Sequence, residues 1–584
     1  MYQSLPDLEA MGSIWAHQRS QATTRRREKQ RDKSERLLRV NREEGVVRKS
    51  WRARLPIALI YPSAYRVGMA NLGFQVIYSL MNSHPDVVCE RFFLSEADGD
   101  HTKASCKSQE SGRPLNDFSI AAFSISFEND FPNVLHILST SGIPLESSRR
   151  GEKHPLVLAG GVAVSSNPEP LADFIDFFVL GEAEPIMQDM LEVLVSHARN
   201  RVEREKTLSS LTDLTGVYVP RYYRAMYLRS GILRAFIPSG KAPARVRANR
   251  LSDLSSGGAV SKLHSPEAEF GQMFLIETGR GCGRGCRFCS AGFVYRPPRV
   301  FSFQSLKEIL DRTPEYLDTV GLVGTALSDY PRLEDLCEEI VRRGKKVSLS
   351  SLRADRVTPR LDSYLLASGH RTVTLAPEAG SERLRSVLQK GLTDEQILRA
   401  VSCLLEGGVP NIRLYFMVGL PTESAVDVDA IPSLLRRIRH VFIARSRDHG
   451  RIGKITLSIS PFVPKPHTPF QWHPLEPVPA LRAKLRSIKR ALQSTPNVQV
   501  HHDVPKWSYI QALLSRGDRR VGRLMLEAMR MGDWSRSMRE ININADFYVH
   551  RPREEDELFP WDFIEHGVEK GILLAQYQRA MHGE

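Results

Sequence analysis

The chain has 584 residues, of which 41% are hydrophobic and 25% are charged; this is the composition of a globular protein, and its length exceeds one ordinary domain. Seven cysteines, an odd number, argue against a disulfide framework and favour a reducing compartment. We recognise no signal peptide and no apolar run of ~18 residues, so we expect a cytoplasmic protein without a membrane span.

The formal net charge of +14 is concentrated near the N-terminus. Residues 19–54 contain fourteen Lys or Arg against five Asp or Glu. We therefore expect residues 1–54 to form a basic extension. Such a segment can bind nucleic acid through phosphate contacts, or it can be a solvated helical or disordered leader. The second alternative is favoured because no aromatic residue is interleaved with the basic ones before Trp51.

Residues 55–200 alternate between apolar runs and amphipathic stretches. Strands are predicted at 56–62, 118–126, 155–161 and 176–181, and helices at 72–82, 129–141 and 184–198. The alternation predicts an α/β, doubly wound, Rossmann-like domain with a parallel sheet. Its ligand crevice should lie at the carboxyl ends of the strands. The small residues expected there are Gly68, Ser124, Gly160, Gly161 and Gly181.

Residues 201–270 are predicted to be a connector with short strands at 217–220 and 232–236. The β/α alternation then resumes over 271–475. Strands are predicted at 274–278, 320–324, 346–352, 371–376, 411–418 and 454–460, with helices at 303–312, 333–343, 359–368, 393–406 and 425–439. Six such units predict a partial (β/α)6 barrel of the TIM type, with its active site at the carboxyl ends of the strands.

Residues 476–584 are predicted to be a mainly helical C-terminal domain. The expected helices are 479–492, 507–515, 520–531 and 564–581. Three arginines here, Arg516, Arg519 and Arg520, are candidates for contacting an anionic substrate, or else cap the adjoining helices. His501 and His502 belong either to a metal or acid–base group or, as we favour, to a surface turn.

The first barrel strand leads into a glycine-rich loop with three cysteines, Cys282, Cys286 and Cys289, at C-x3-C-x2-C spacing. Thiolates suit zinc or iron–sulfur clusters. A structural zinc site normally needs four ligands, and so does a ferredoxin-type cluster. The next cysteine, Cys337, is far along the chain. Three ligands therefore indicate a catalytic cluster with an open position, with a zinc knuckle as the alternative.

This loop, including Phe288 before the third cysteine, resembles the signature of the radical S-adenosylmethionine (SAM) superfamily. The resemblance implies that the three cysteines hold a [4Fe–4S] cluster whose fourth iron is chelated by SAM. It also implies an external reductant such as ferredoxin or flavodoxin, and reductive cleavage of SAM to a 5′-deoxyadenosyl radical that acts on a substrate. The protein would position and shield that chemistry. The amino-acid sequence of residues 55–580 resembles that of a poorly characterised bacterial subfamily of radical SAM proteins. That resemblance does not imply a particular substrate.

The same resemblance implies that SAM lies at the carboxyl ends of the barrel strands. Glu378 is a candidate acceptor for the ribose hydroxyls. Arg353 and Arg383 either pair with the methionine carboxylate or form ion pairs on the rim of the barrel. Where the superfamily usually has Gly-Gly-Glu, this chain has Val323-Gly324-Thr325, so the acidic residue is absent. The full set of candidate cofactor-binding positions in the barrel is Phe288, Gly324, Thr325, Ser351, Arg353, Glu378, Arg383, Gly419, Pro421 and Pro461.

The 55–200 domain resembles the cobalamin-binding-type domain that precedes many radical SAM barrels. The resemblance rests on Leu158-Ala159-Gly160-Gly161-Val162 and on Leu180-Gly181-Glu182-Ala183-Glu184. It implies that the paired glycines approach the nucleotide loop of cobalamin. The histidine motif that ligates cobalt is missing, because the corresponding loop reads Ser63-Ala64-Tyr65-Arg66-Val67-Gly68. Either cobalamin binds without a protein histidine, or the domain docks substrate without that cofactor.

Three functions remain as alternatives. The first is a radical SAM enzyme, with cobalamin-dependent methyl transfer as one form of it. The second is sulfur insertion as in methylthiotransferases, which is disfavoured because only Cys89 and Cys106 precede the barrel. The third is a non-catalytic iron–sulfur protein that binds RNA or senses redox state. His467, near the end of the last barrel strand, is a candidate base or a loop histidine.

Overall fold

A computed structural model describes residues 42–94, 106–254, 259–448 and 452–583 of the chain. Most of the basic extension, residues 1–41, therefore lies outside the described residues. No helix in the described part is long and apolar enough to cross a lipid bilayer.

The N-terminal domain is built on one six-stranded sheet. Its elements are β1 Leu55–Ala64, α1 Tyr65–Ala70, α2 Leu72–Ser83, β2 Val87–Leu94, β3 Ile120–Ser124, α3 Phe131–Thr140, β4 Leu156–Gly160, α4 Val162–Ser166, β5 Phe177–Val179, α5 Glu184–Arg199, α6 Arg204–Leu211 and β6 Val217–Tyr218. The strand order is β2-β1-β3-β4-β5-β6. The first five strands are parallel and β6 is antiparallel to β5.

Alternate residues of the central strand β1 enter two different apolar cores. Ile57 and Leu59 pack with α2 and α5 on one face, while Ala58 and Ile60 pack with α3 on the other. This is why the strand is apolar at every position, as a strand buried on both faces must be. The order 2-1-3-4-5 is that of doubly wound sheets, so the predicted fold class is confirmed. The sheet also takes in β6, which lies within the predicted connector.

Strand β2 was not predicted, because Glu90 and Arg91 interrupt its apolar run. The Arg91 side chain is fully buried, with Nη2 2.6 Å from Glu43 Oε2 and Nε 2.6 Å from Glu110 Oε1. A buried charge is tolerated only when it is paired in this way. Both carboxylates come from outside the strand, so the strand sequence alone carries no sign of them.

The connector contains a hairpin, β7 Tyr223–Tyr227 with β8 Leu233–Pro238, followed by β9 Val246–Arg247. The barrel follows, with β10 Met273–Arg280, β11 Arg299–Val300, α7 Phe303–Leu310, β12 Thr319–Gly324, α8 Leu333–Arg342, β13 Lys346–Leu349, α9 Pro359–Ala367, β14 Thr372–Glu378, α10 Glu382–Val387, α11 Asp394–Glu406, β15 Asn411–Val418, α12 Ala425–Asp448 and β16 Ile455–Pro461.

The barrel strands form an open arc. Strands β10, β12 and β13 are parallel neighbours, as are β14, β15 and β16. A parallel bridge between Leu352 and Leu375 joins the two groups. The predicted partial barrel of six strands is therefore present, and its carboxyl ends share one edge.

The C-terminal part contains α13 Val478–Leu492, β17 Val498–His502, α14 Pro505–Arg516, α15 Arg519–Met531, α16 Trp534–Glu540, α17 Ala545–Val549, β18 Ile564–Glu565 and α18 Lys570–Met581. Strand β17 adds to the arc beside β16. The surface turn predicted for His501 and His502 is wrong, since both are exposed residues of β17.

The final helix is shorter than predicted. It begins at Lys570, because residues 564–565 pair with β9 as strand β18 and Gly567 adopts φ +84°. A left-handed conformation of this kind interrupts a helix and favours glycine.

Candidate functional site

The cysteine loop leaves the carboxyl end of β10 and is bent by its glycines. Gly281 and Gly285 have φ of +80° and +70°, which glycine adopts without cost. A Cβ on Gly281 would lie 2.4 Å from the carbonyl oxygen of Tyr295. The loop can follow this path only with glycine at that position, which explains the spacing of glycines among the cysteines.

All three cysteines of the loop are free thiols, with Cys286 buried and Cys282 and Cys289 partly buried. The pKa of Cys286 is raised above its ordinary value, and burial is the largest cause. The nearby Lys390 lowers this pKa, and the other two cysteines raise it. The three sulfurs are therefore close enough to interact electrostatically. Burial also raises the pKa of Cys289.

The donor set of this loop is three thiols on one folded, glycine-rich segment. Thiolates are the ligands that hold iron–sulfur clusters. Three soft donors on a folded glycine loop are the ligands such a cluster takes.

Two of the predicted arginines are committed to ion pairs on the rim of the barrel. Arg353 places Nε 3.0 Å from Asp355 Oδ1 and donates to the carbonyl oxygen of Lys390 at 2.9 Å. Arg383 pairs with Asp427 and donates to the carbonyl oxygen of Thr422 at 2.9 Å. Both arginines form rim ion pairs, and their pairing with the methionine carboxylate stays a prediction.

Glu378 is the last residue of β14 and has φ +72°, a conformation that costs a non-glycine residue energy and that clusters at functional sites. Its Oε1 lies 2.9 Å from Lys390 Nζ. Glu378 also raises the pKa of Cys289, so it stands near the cysteine loop. The carboxylate and its lysine thus lie beside the proposed cluster.

The remaining predicted barrel positions lie around the same edge. Phe288 packs against a small apolar cluster that contains Leu420, Phe462 and Phe470. Gly419 has φ +80° and donates its N–H to Glu423 Oε1 at 2.9 Å. The other five positions are Gly324 at the end of β12, Thr325 after it, the exposed Ser351, and the buried pair Pro421 and Pro461.

A cavity of about 450 Å³, here called the first cavity, lies between the two domains. In the N-terminal domain it runs as an apolar slot between the sheet and helices α2 and α5. From the barrel it takes Gly279, Arg280 and Gly281 beside the cysteine loop, and Gly324 and Thr325 after β12. The apolar slot is lined by Leu59, Leu72, Val76, Ile77, Met81, Leu158, Ile186, Met187 and Met190.

Four of the five small residues predicted at the strand ends line the first cavity. These are Ser124, Gly160, Gly161 and Gly181. Gly68 lies outside it, in α1, where a Cβ would approach the ring of Phe93 to 2.5 Å. The glycine there serves close packing of α1 on β2.

An ion network that the sequence did not reveal spans the rim of this cavity. Arg280, two residues before the first cysteine, contacts Glu277, Glu182 and Glu184 at 2.9, 3.0 and 2.6 Å. Arg299 reaches Glu182 at 2.6 Å. Both glutamates of the 180–184 segment therefore hold the barrel onto the N-terminal domain. The available signal was Arg280, a charged residue at the end of the first barrel strand, just before the first cysteine.

The C-terminal arginines are all used inside the protein. Arg516 is buried and donates to the carbonyl oxygen of His473 at 2.8 Å. Arg519 lies 2.9 Å from Glu169 Oε2, and Arg520 lies 2.7 Å from Asp518 Oδ2. Asp518 caps the N-terminus of α15, and Arg520 pairs with it there. Of the two roles considered for Arg520, contact with an anionic substrate or capping of a helix, the structure therefore favours the second.

Two family models match the chain. One is described as radical SAM proteins, N-terminal, and matches residues 73–220. The other is described as the radical SAM superfamily and matches residues 276–435. The second match begins in β10 and contains the whole cysteine loop.

Two curated relatives show sequence similarity. An uncharacterized protein of Methanocaldococcus jannaschii is 27% identical over 471 residues, which are 80% of this chain and 90% of the relative. An uncharacterized methyltransferase of Pyrococcus horikoshii is 24% identical over 174 residues, which are 28% of this chain and 37% of that protein.

Solved structures give weaker similarity. The cobalamin-dependent SAM radical enzyme OxsB with aqua-cobalamin bound matches at a TM-score of 0.44 and 16% identity, over 65% of this chain and 52% of OxsB. Coproporphyrinogen III oxidase (HemN) from Escherichia coli matches at a TM-score of 0.26 and 15% identity, over 38% of this chain and 52% of HemN. The chain thus spans about half of each of these solved chains.

Proposed function

Since this chain is a radical SAM protein, we propose that it is an enzyme in which Cys282, Cys286 and Cys289 hold a [4Fe–4S] cluster with one iron left for SAM. The observation that carries the proposal is the loop itself. Three free thiols stand on a glycine-bent turn at the carboxyl end of the first barrel strand, where barrel folds place their chemistry.

When bound and reduced by a donor such as ferredoxin or flavodoxin, the cluster and SAM supply a 5′-deoxyadenosyl radical. The chain's own residues bind and shield the cosubstrate. We assign Phe288, Gly419, Pro421 and Pro461 to an apolar wall near the adenine, and Gly324 with Thr325 to backbone contacts near the amino group. Ser351 and Glu378 would accept or donate hydrogen bonds at the ribose. Arg353 and Arg383 would order the rim through their ion pairs.

The first cavity supports cobalamin as a second cofactor. Its slot between the sheet and helices α2 and α5 is apolar, and Ser124, Gly160, Gly161 and Gly181 line it at the carboxyl ends of the strands. This arrangement suits a flat nucleotide end, because glycine lets backbone approach a ligand closely. The slot opens toward the cysteine loop, as methyl transfer between the two cofactors requires.

Residues 63–68, at the end of β1 and after it, offer no histidine that would hold cobalamin, since they read Ser63-Ala64-Tyr65-Arg66-Val67-Gly68. Residues 65–70 form helix α1. Tyr65 donates its hydroxyl hydrogen to Glu43 Oε1, and its oxygen lies 2.7 Å from Ser265 Oγ. No histidine lines the first cavity among the described residues. We therefore propose that cobalamin binds without a protein imidazole. With cobalamin beside the cysteine loop, the proposed reaction is methyl transfer to a substrate.

Anaerobic reconstitution with iron and sulfide tests the first proposal. The wild-type chain should turn brown and, once reduced with SAM present, should release 5′-deoxyadenosine. Replacing Cys282, Cys286 or Cys289 with Ala should abolish both properties, while Cys403→Ala, on helix α11, should keep both. A brown protein that never cleaves SAM would favour a non-catalytic iron–sulfur protein, and a colourless zinc protein would contradict the assignment.

Cobalamin is tested separately. Protein produced with hydroxocobalamin in the medium should retain cobalt after gel filtration and show the visible spectrum of a bound corrinoid. Formation of 5′-deoxyadenosine without cobalt binding would keep the radical enzyme and exclude methyl transfer through cobalamin.

A further inference from the structure

A second cavity, of about 930 Å³, lies beside the first. Its lining contains histidine, amide and charged side chains, whereas the slot of the first cavity is apolar. The two cavities share Val162, Gly181, Glu182 and Tyr295 as walls. The second cavity is enclosed by β9 of the connector, by the segment 556–573 and by His467 and Gln471 after the last barrel strand. A molecule inside it would therefore lie next to both the first cavity and the barrel mouth.

Two histidines in this cavity have a defined tautomer. His467 and His566 place Nε2 3.1 Å from the carbonyl oxygen of Ser166 and 2.9 Å from that of Ser165. A carbonyl oxygen only accepts hydrogen bonds, so Nε2 carries the hydrogen in both rings and Nδ1 is left as an acceptor. Within the described residues, neither Nδ1 has a hydrogen-bond partner. The ring centroids lie 4.5 Å apart.

Both imidazoles are held neutral. Burial lowers the pKa of His566 to about 4, and burial together with the nearby His566 lowers the pKa of His467. Two neutral rings present lone pairs to the cavity. Two ion pairs lie at its edge, Lys570 with Asp562 at 2.6 Å and Arg245 with Glu565 at 3.4 Å. Arg250, also in the lining, donates to the carbonyl oxygen of Arg296.

Gln471 adds a donor of fixed orientation. Its Oε1 accepts from the backbone N–H of His467 at 3.1 Å and from Trp561 Nε1 at 2.8 Å. The amide oxygen is thus fixed by two donors, and the NH₂ group has no partner among the described residues. The amide nitrogen of Asn249, in the same wall, is buried without a partner in that part of the chain. Asn249 Nδ2 packs against Gly216, so the NH₂ group of Gln471 is the donor that a ligand in the cavity would meet.

We propose that the second cavity is the substrate site, and that it recognises an uncharged planar amide or nitrogen heterocycle. The ligand's N–H groups would donate to Nδ1 of His467 and His566, and its carbonyl oxygen would accept from Gln471. A carboxylate or phosphate is excluded at this end, because its lone pairs would face those of the imidazoles. The assignment as substrate rests on the proposed radical SAM function.

Benzamide and benzoate form a matched pair of probes, since they share their shape and differ in the donor and the charge. Saturation-transfer NMR on the full-length reconstituted protein should detect benzamide binding, with benzoate weaker by about tenfold, the effect of losing one or two hydrogen bonds. Gln471→Glu keeps the acceptor for His467 N–H and Trp561 while replacing the donor, and should weaken benzamide binding by a similar factor. His467→Phe with His566→Phe should abolish it.

His501→Phe, on exposed β17, is the control and should bind benzamide as the wild type does. Thermal melting and the cluster absorbance verify that each variant is folded. Equal binding of the two probes, no benzamide binding to the wild type, or an unchanged signal in Gln471→Glu would overturn the proposal. SAM cleavage measured on the same samples separates the two conclusions: 5′-deoxyadenosine without amide selectivity refutes only the substrate class.

Discussion

Arg280 Nη2 lies 2.6 Å from Glu184 Oε1, and this contact joins the strand that carries the cysteine loop to the segment that follows β5 of the N-terminal domain. Arg280 has only 12% of its side chain exposed. Burial lowers its pKa, but Glu277 and Glu184 raise it, with a net rise. The cysteine loop and the wall of the first cavity are therefore held together by the Arg280 guanidinium, with Arg299 making a second contact to Glu182.

Replacing Arg280 with Met should lower the free energy of unfolding by about 3–5 kcal/mol, the usual cost of leaving one side of a buried ion pair alone. Urea denaturation of the apoprotein measures it. Arg530→Met is the matched control, because Arg530 is 58% exposed in its pair with Glu527 and exposed pairs contribute little. Equal losses in the two variants would contradict the role assigned to Arg280.

Gly160 and Gly161 should respond differently to the same substitution. Gly161 has φ +108°, and a Cβ there would lie 2.4 Å from the carbonyl oxygen of Ile125. Gly161→Ala should therefore destabilise the fold, with about 1–3 kcal/mol from backbone strain alone. At Gly160 the nearest atom, the Val179 carbonyl oxygen, would be 3.4 Å away. Gly160→Ala should keep the melting temperature and reduce retained cobalt, since the methyl group narrows the first cavity. A stable Gly160→Ala with full cobalt content would argue against cobalamin in this cavity.

Glu378→Gln should weaken SAM binding by about tenfold, the effect of replacing a charged acceptor by a neutral one. Equilibrium dialysis with labelled SAM on the reconstituted protein measures it. Glu382→Gln, in helix α10 and largely exposed, is the control. If Glu378→Gln lowers thermal stability and leaves SAM affinity unchanged, the carboxylate serves only its ion pair with Lys390.

Arg519→Met should destabilise the protein by about 3–5 kcal/mol, because it leaves the Glu169 carboxylate buried without its charge partner. Glu169 is 1% exposed and also accepts from the hydroxyl of Tyr218. The double variant Arg519→Met with Glu169→Gln should recover part of the loss, since the remaining group is then uncharged. Chemical denaturation of the single and double variants measures the coupling. A strictly additive double variant would mean that the two side chains act independently.

The sequence was sufficient to predict those strands and motifs that can be recognised within a short stretch of residues. Strand β1 is an apolar run, because a parallel strand in this sheet is covered on both faces. Barrel strands such as β14 and β15 alternate between buried and less buried residues, and this short period is also visible in the sequence. The cysteine spacing identified the loop. The family and the fold class were confirmed. The proposed domain boundaries and the individual cofactor contacts stay predictions.

What the sequence could not reveal depends on partners distant in the chain. Arg91 lies in a strand only because Glu43 and Glu110 surround it, and β17 joins the barrel as a short edge strand. The His467–His566 pair joins residues 99 positions apart, with carbonyl oxygens of a third segment holding both rings. No local pattern marks such contacts, whereas strand periodicity is visible within a few residues.

The burial of Arg91 sets a limit on how far the N-terminus can be shortened. Glu43 supplies one of the two carboxylates around that guanidinium, and Lys49 donates to three carbonyl oxygens at the α2–β2 turn at 2.5–3.0 Å. A shortened protein that begins at residue 42 keeps both tethers. One that begins at residue 50 loses Lys49 and leaves the buried Arg91 guanidinium with Glu110 but without Glu43, and it should aggregate during expression.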